Sequence, residues 1–254
     1  RTPASRATSP GWAPWGRRDA RQDAAAPGGG RPPPGGAVIV AIDGAEIRRV
    51  IELERPALMK AQARALLDAA AGRTLNVMFP MISEPWEFDE AQALFEDQRR
   101  WIAERGRTGP AEIRYGAMLE VPALAEMLDI LLPKLDFLSI GTNDLTQFLF
   151  AADRAHPKLA ERYDWLSPAI LRFLDRVTRQ AREAGVKIGV CGEMGGRPLE
   201  AMTLIGLGIE RLSITPAAVG PLKAMIRSLD AAALREIMPG LLARHRASGS
   251  SPSK

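Results

Sequence analysis

A chain of 254 residues with 46% hydrophobic content can bury enough apolar surface for one large domain or two small ones. Its net charge of +4 does not point to nucleic acid, because Arg and Lys are interleaved with Asp and Glu instead of gathered into one stripe. The single cysteine excludes an internal disulfide and fits a reducing cytoplasmic setting. No apolar stretch approaches the roughly 20 residues of a membrane span, and the amino terminus lacks a signal-peptide core, so no membrane role is expected.

Residues 1–36 are dominated by Arg, Pro, Ala, Gly and Ser and carry neither helical nor strand periodicity, so a disordered tail is expected there. Enrichment of this kind before an abrupt change of character is what an out-of-frame start in GC-rich DNA gives, or a divergent natural tail. Residues 37–54 are ambiguous: 37–42 read as a short strand, and 46–54 as a weakly amphipathic helix. From residue 55 to 242 helices alternate with short apolar runs, the pattern of a parallel sheet with crossover helices, and residues 243–254 read as a frayed tail.

Taken in order, helices are expected at 56–71, 84–105, 122–132, 144–152, 167–184, 197–206, 219–229 and 231–242. Strands are expected at 75–81, 113–120, 135–141, 187–191 and 212–215. Ser167 reads as the cap of a helix with Pro168 at its first position, and Gly185 as its stop. The resulting fold class is α/β, an incomplete TIM-type (β/α) barrel. Five strand–helix units follow residue 75, and the strand near residues 38–42 makes six, where a closed barrel has eight. Open sheet edges are therefore expected.

The densest chemistry lies at residues 136–154, where an apolar strand runs directly into Gly-Thr-Asn-Asp. Asn143 and Asp144 offer hard oxygen ligands of the kind Mg²⁺ prefers, and Gly141 permits close backbone approach. Glu120 ends the preceding strand, so both carboxylates should meet at one rim of the barrel, where active sites of this architecture sit. Arg154 could fork onto a phosphate or carboxylate, although a surface arginine paired with Asp153 fits the sequence equally. Cys191 ends the 187–191 strand, immediately before Gly192 and Glu193. A lone cysteine is usually a small buried hydrophobe, but this position puts sulfur at the same rim.

Asp136, Ser139, Gly141-Thr142-Asn143-Asp144, Gln147 and Arg154 together resemble the second signature of the enzymes that use phosphoenolpyruvate (PEP). Residues 190–202, Val-Cys-Gly-Glu-Met-Gly-Gly-Arg-Pro-Leu-Glu-Ala-Met, and 118–124, Met-Leu-Glu-Val-Pro-Ala-Leu, narrow the likeness. They resemble enzyme I of the sugar phosphotransferase system and, more closely, its nitrogen-branch relative, over about residues 55–238. The resemblance implies that Glu120 and Asp144 bind Mg²⁺, that Asn143, Asp144 and Arg154 bind PEP, and that Cys191 protonates C3 of the enolate to give pyruvate. It also implies an HPr-like phosphocarrier protein as partner and a homodimeric, cytoplasmic parent enzyme.

Such a transferase passes the phosphoryl group to a histidine of a separate swivelling domain, and this chain has only His156 and His245, neither in that sequence context. The chain is therefore expected to be the PEP-binding portion, incomplete and inactive alone. Two other readings stand beside it. One is a non-catalytic module for ligand binding or dimerisation, with a surface around 148–150 and Trp165. The other is a Mg²⁺-dependent oxoacid lyase or aldolase barrel.

Overall fold

The computed structural model describes residues 56–156, 158–159 and 164–243, together with the backbone of residues 38–41. Expectations for residues 1–37, 42–55 and 244–254, His245 among them, lie outside the described residues.

Six parallel strands form one sheet in strict chain order: β1 (Val38–Ala41), β2 (Thr74–Phe79), β3 (Glu112–Leu119), β4 (Phe137–Gly141), β5 (Lys187–Cys191) and β6 (Arg211–Leu212). Each crossover carries helix, as parallel pairing of sequence neighbours requires. Helices α1 (Pro56–Ala69) and α2 (Pro85–Ala103) flank β2 in sequence. The segment 122–134 follows β3, and α4 (Thr142–Phe150) and α5 (Pro168–Glu183) follow β4. Helix α6 (Pro198–Gly206) precedes β6; α7 (Pro216–Ser228) and α8 (Ala231–Ala243) close the described chain. Among the described residues β1 and β6 remain sheet edges, so the six-unit open sector holds.

The strands read as apolar runs because one face packs under the helices and the other lines a mainly apolar concave cavity. In β2, Leu75, Val77 and Phe79 pack under the helices while Met78 faces the concave side. The rings of Phe88 and Phe95 from α2 meet Phe79 edge-on at 5.6 and 5.9 Å, and Tyr115 of β3 lies 6.1 Å away. The buried Tyr115 hydroxyl is satisfied by donating to Glu96 at 2.7 Å. Gly116 of β3 sits against the Phe137 ring, and any Cβ there would fall 2.5 Å from it. Helix α2 starts at a capping box, in which Glu87 accepts from the backbone N–H of Ser83 and of Glu84.

Several local expectations are corrected. The helix expected over 122–132 is a 3₁₀ turn (Pro122–Met127), one α-turn here called α3 (Leu128–Leu131), and a second 3₁₀ turn (Leu132–Lys134). Met127 leaves helical geometry at φ −118°, and Pro133 has no N–H to continue an α ladder. Ser167 occupies the position before α5 but its side chain caps nothing; its carbonyl accepts from Leu171 N–H at 3.0 Å. The last strand is two residues long, starting one residue and ending three residues earlier than the 212–215 expected. Ser213 still donates to Val190 O at 2.8 Å before Pro216 opens α7.

Phe79 is wholly buried at the centre of the aromatic cluster. Phe79→Ala is expected to cost about 3–5 kcal/mol through lost burial and the cavity left behind, measured as a lower urea midpoint at unchanged slope.

Candidate active site at the strand ends

Parallel pairing fixes where the polar residues go. Gly141 pairs with Cys191 and Ile140 with Leu119, so the residues just past β3, β4 and β5 emerge side by side at one rim. Glu120, Asn143, Asp144 and Cys191 are all brought there, as the sequence led us to expect.

Glu120 is only 4% exposed. Its Oε1 accepts from the backbone N–H of Met81, beyond the end of β2, at 2.7 Å. Met81 adopts a left-handed backbone with φ +57°, which costs a non-glycine residue about 1–2 kcal/mol. Gly141 is required opposite this carboxylate, because a Cβ there would lie 2.8 Å from Glu120 Oε2 and 3.0 Å from Met118 Sδ. Burial pushes the Glu120 carboxyl up to about 7 despite the Met81 hydrogen bond; Asp144 raises it further, by its charge and as a hydrogen-bond partner.

Asp144 lies in the first turn of α4, where the helix N-terminus favours an anion. Arg154 Nη1 is 3.5 Å from Asp144 Oδ1, and the two side chains are 47% and 37% exposed. Pairing of Arg154 with Asp153 is not what forms: Asp153 Oδ1 accepts from Ala155 N–H at 2.8 Å. Gln147 explains its place in the motif by accepting from Arg154 N–H at 3.4 Å, which ties the arginine-bearing loop to α4. Asp136 plays a structural part at the other end of the motif, accepting from Tyr115 N–H at 2.7 Å and fastening β4 to β3.

Cys191 and Asn143 are linked through the β5 exit. Thr142 donates to the Cys191 carbonyl at 3.1 Å, and Asn143 Oδ1 accepts from Glu193 N–H at 3.1 Å. That leaves the Asn143 amide NH₂ available to a ligand. Gly192 has φ +107°, and a Cβ there would fall 2.6 Å from Thr142 Oγ1. The Cys191 thiol is pushed up mainly by burial, with Ser139 lowering it and the Glu120 and Asp144 charges raising it. Sulfur and both acids are thus within electrostatic reach of one another. The contributions of Met81, Ser139 and Thr142 were not legible as such, because a backbone N–H at a strand exit and two hydroxyls within a motif carry no periodic signal.

His156 is exposed, and its backbone N–H donates to Asp153 O at 3.1 Å. Of the aromatics around 148–150, Phe148 is 43% exposed while Phe150 and Trp165 pack against the core. No helix among the described residues is long and apolar enough to cross a membrane.

Known proteins resemble this chain over most of its length. The phosphoenolpyruvate-protein phosphotransferase of Staphylococcus carnosus is 37% identical over 185 residues, covering 73% of this chain and 32% of that protein. The phosphoenolpyruvate-dependent phosphotransferase system protein of Escherichia coli K12 is 41% identical over 181 residues, covering 71% of this chain and 24% of its own length. The chain therefore spans about a third or less of these relatives. A solved citrate lyase from Burkholderia xenovorans shares the fold with a TM-score of 0.53 at 17% identity, over 81% of this chain and 63% of that one. Residues 46–231 match the model described as PEP-utilising enzyme, PEP-binding domain, a match that begins nine residues before the resemblance traced above. The chain belongs to the family of PEP-utilising enzymes, as their PEP-binding domain.

Proposed function

We propose that this chain is the PEP-binding portion of a phosphoenolpyruvate–protein phosphotransferase, one that moves phosphate from PEP to a protein histidine and releases pyruvate. What carries the reading is the convergence of the Cys191 thiol with the Glu120 and Asp144 carboxylates on adjacent strand ends. The family supports it, and the coverage of about a third of the relatives is why the full transfer is assigned to a longer parent. That parent is cytoplasmic, works with an HPr-like phosphocarrier protein and is a homodimer.

The residues fit Mg²⁺. Glu120 and Asp144 bring two carboxylates together, and Glu120 holds its proton to about pH 7 because it is buried and faces the Asp144 charge, with Arg154 offsetting only part of this. Hard carboxylate oxygens are the donors this cation takes, and a divalent ion would relieve their repulsion. When bound it supplies Lewis-acid neutralisation of the substrate's oxygens.

The chain's own groups do the rest. Arg154 presents a guanidinium to the phosphate, where a bidentate pair gives both affinity and orientation. The Asn143 NH₂ and the first-turn N–H groups of α4 add donors for the anionic substrate. As the phosphorus–oxygen bond to the enol breaks and phosphate passes to histidine, an electron pair is left for C3 of the enolate. Cys191 gives its S–H proton to that carbon, forming the methyl group of pyruvate, and the sulfur keeps the pair until solvent returns a proton.

No separate observation favours a lyase, since likeness to the citrate lyase concerns fold alone. The binding-remnant reading is separated by titration calorimetry. PEP should give saturable heat with Mg²⁺ that is lost in Asp144→Ala and weakened at least tenfold in Arg154→Ala; no heat from the wild-type chain would leave only the remnant. Incubation with ³²P-labelled PEP, Mg²⁺ and an HPr-like carrier should leave the carrier unlabelled, and label on it would show that this chain transfers unaided.

The pH dependence follows from Glu120. Its carboxyl titrates higher in the folded chain than at the usual 4.5, so the folded state holds the proton more tightly than the unfolded state. Without divalent cation, stability should be greatest below pH 4.5 as regards this group and decline as pH rises to about 7, by at most about 3 kcal/mol. Chemical denaturation in EDTA should show the decline, Glu120→Gln should flatten it, and Mg²⁺ affinity should rise with pH over the same window.

A further inference from the structure

Ser139 is a polar residue placed where packing does not call for one. It stands in mid-β4 on the open concave side of the sheet, lining with Met78, Met118, Phe137 and Cys191 a mainly apolar cavity of about 360 Å³. Across the β4–β5 pair Ser139 faces Gly189, two residues before Cys191, so no side chain on β5 stands between the hydroxyl and the sulfur. Ser139 Oγ donates to Cys191 Sγ at 3.4 Å. The thiol in turn has two acceptors in range, Ile140 O at 3.5 Å and Met118 Sδ at 3.9 Å. The backbone under the sulfur is pinned by Thr142 and by the constrained Gly192.

We propose that Ser139 is a positioning residue for the proton-donating thiol: its hydroxyl holds the Cys191 sulfur in place from the inner side of the strand end and takes up part of the charge left there when the proton departs. The proposal rests on the reading of Cys191 as proton donor. In that step a carbon–hydrogen bond forms at C3 of the enolate and the sulfur–hydrogen bond breaks with its electron pair on sulfur. The Ser139 O–H then donates to a thiolate instead of a neutral thiol, a charge-assisted hydrogen bond stronger than the one it replaces.

The charged groups around the sulfur show why such a donor matters. Glu120 after β3 and Asp144 on α4 both disfavour the thiolate, and burial disfavours it more. Glu193 follows two residues after Cys191, and the cations Lys187 and Arg211 line the same cavity from β5 and β6. Ser139 is the side chain that lowers the thiol by hydrogen bonding, beside the Cys191 backbone N–H.

The test is alkylation of the full chain by iodoacetamide in EDTA across pH 7–11.5, a window that reaches past a thiol raised above its ordinary value, followed by intact mass. Cys191 is the only cysteine, so the adducts lost in Cys191→Ala, run as the background, report on it alone. Ser139→Ala should move the midpoint up by about one pH unit, a tenfold smaller thiolate fraction at a fixed pH below both midpoints. Ser139→Thr, which keeps the hydroxyl, should return it to within about 0.3 unit, and Ser139→Val, of the same shape, should behave as Ala does. The midpoint is read instead of the plateau rate, because added space would change the plateau alone. An unshifted midpoint in Ser139→Ala, or equal midpoints for the Thr and Val variants, overturns the proposal. A normal shift together with no PEP binding in calorimetry would instead remove the functional reading and leave the tuned thiol standing.

Discussion

The buried Glu120 carboxylate is the point on which the rest of the site turns. It is withdrawn from water, receives one backbone hydrogen bond from a left-handed Met81, and faces a second carboxylate on α4. Isolated negative charge in such a place is costly, which is why the group holds its proton toward neutrality in the absence of a cation. The surrounding backbone is shaped to this one side chain. Gly141 leaves the space that a Cβ would take from the carboxylate, and Gly192 lets β5 exit close against Thr142. Strain at Met81 is maintained because the Glu120 hydrogen bond and the Phe79 cluster behind it hold both ends of the turn.

Parallel register then shares that rim among four strands. Because neighbouring strands run the same way, their carboxyl ends meet without any long connection, and a carboxylate, an amide, a second carboxylate and a thiol come from three consecutive units. Arg154 joins them from a loop, tethered by Gln147 and drawn to Asp144. A long, half-exposed arginine on a tether can exchange its carboxylate partner for a substrate phosphate at small cost, since an exposed pair of this kind is worth little.

Among the described residues β1 and β6 are the sheet edges, and the concave cavity beside Met78, Met118 and Phe137 is open. In a closed barrel such side chains interdigitate with those of the opposite strands. Ser139 and Cys191 therefore belong at once to the rim and to the upper wall of this cavity. The hydroxyl–sulfur contact sits where an apolar interior gives way to the charged mouth, so a modest hydrogen bond carries more weight than it would in water.

The alternation of apolar runs with helices was enough for the α/β class and for five or six units from sequence alone, because a parallel strand packed under helices leaves a continuous hydrophobic signature; pairing of Val38–Ala41 with β2 is what makes the count six. Gly-Thr-Asn-Asp, the distant Glu120 and the strand-end Cys191 were legible for a similar reason: each interrupts an apolar run at its carboxyl end with a residue that packing does not need. The broken segment 122–134 and the two-residue β6 were not, since backbone geometry at Met127 and the departure of the chain at Pro216 depend on neighbours distant in sequence. Only the folded chain decided that Arg154 turns to Asp144 instead of Asp153, that Met81 supplies the N–H to Glu120, and that Ser139 reaches the sulfur. Those are contacts between separate strands and loops, set by register and by the space that Gly141, Gly189 and Gly192 leave open, and no local pattern in the chain encodes a distance across a sheet.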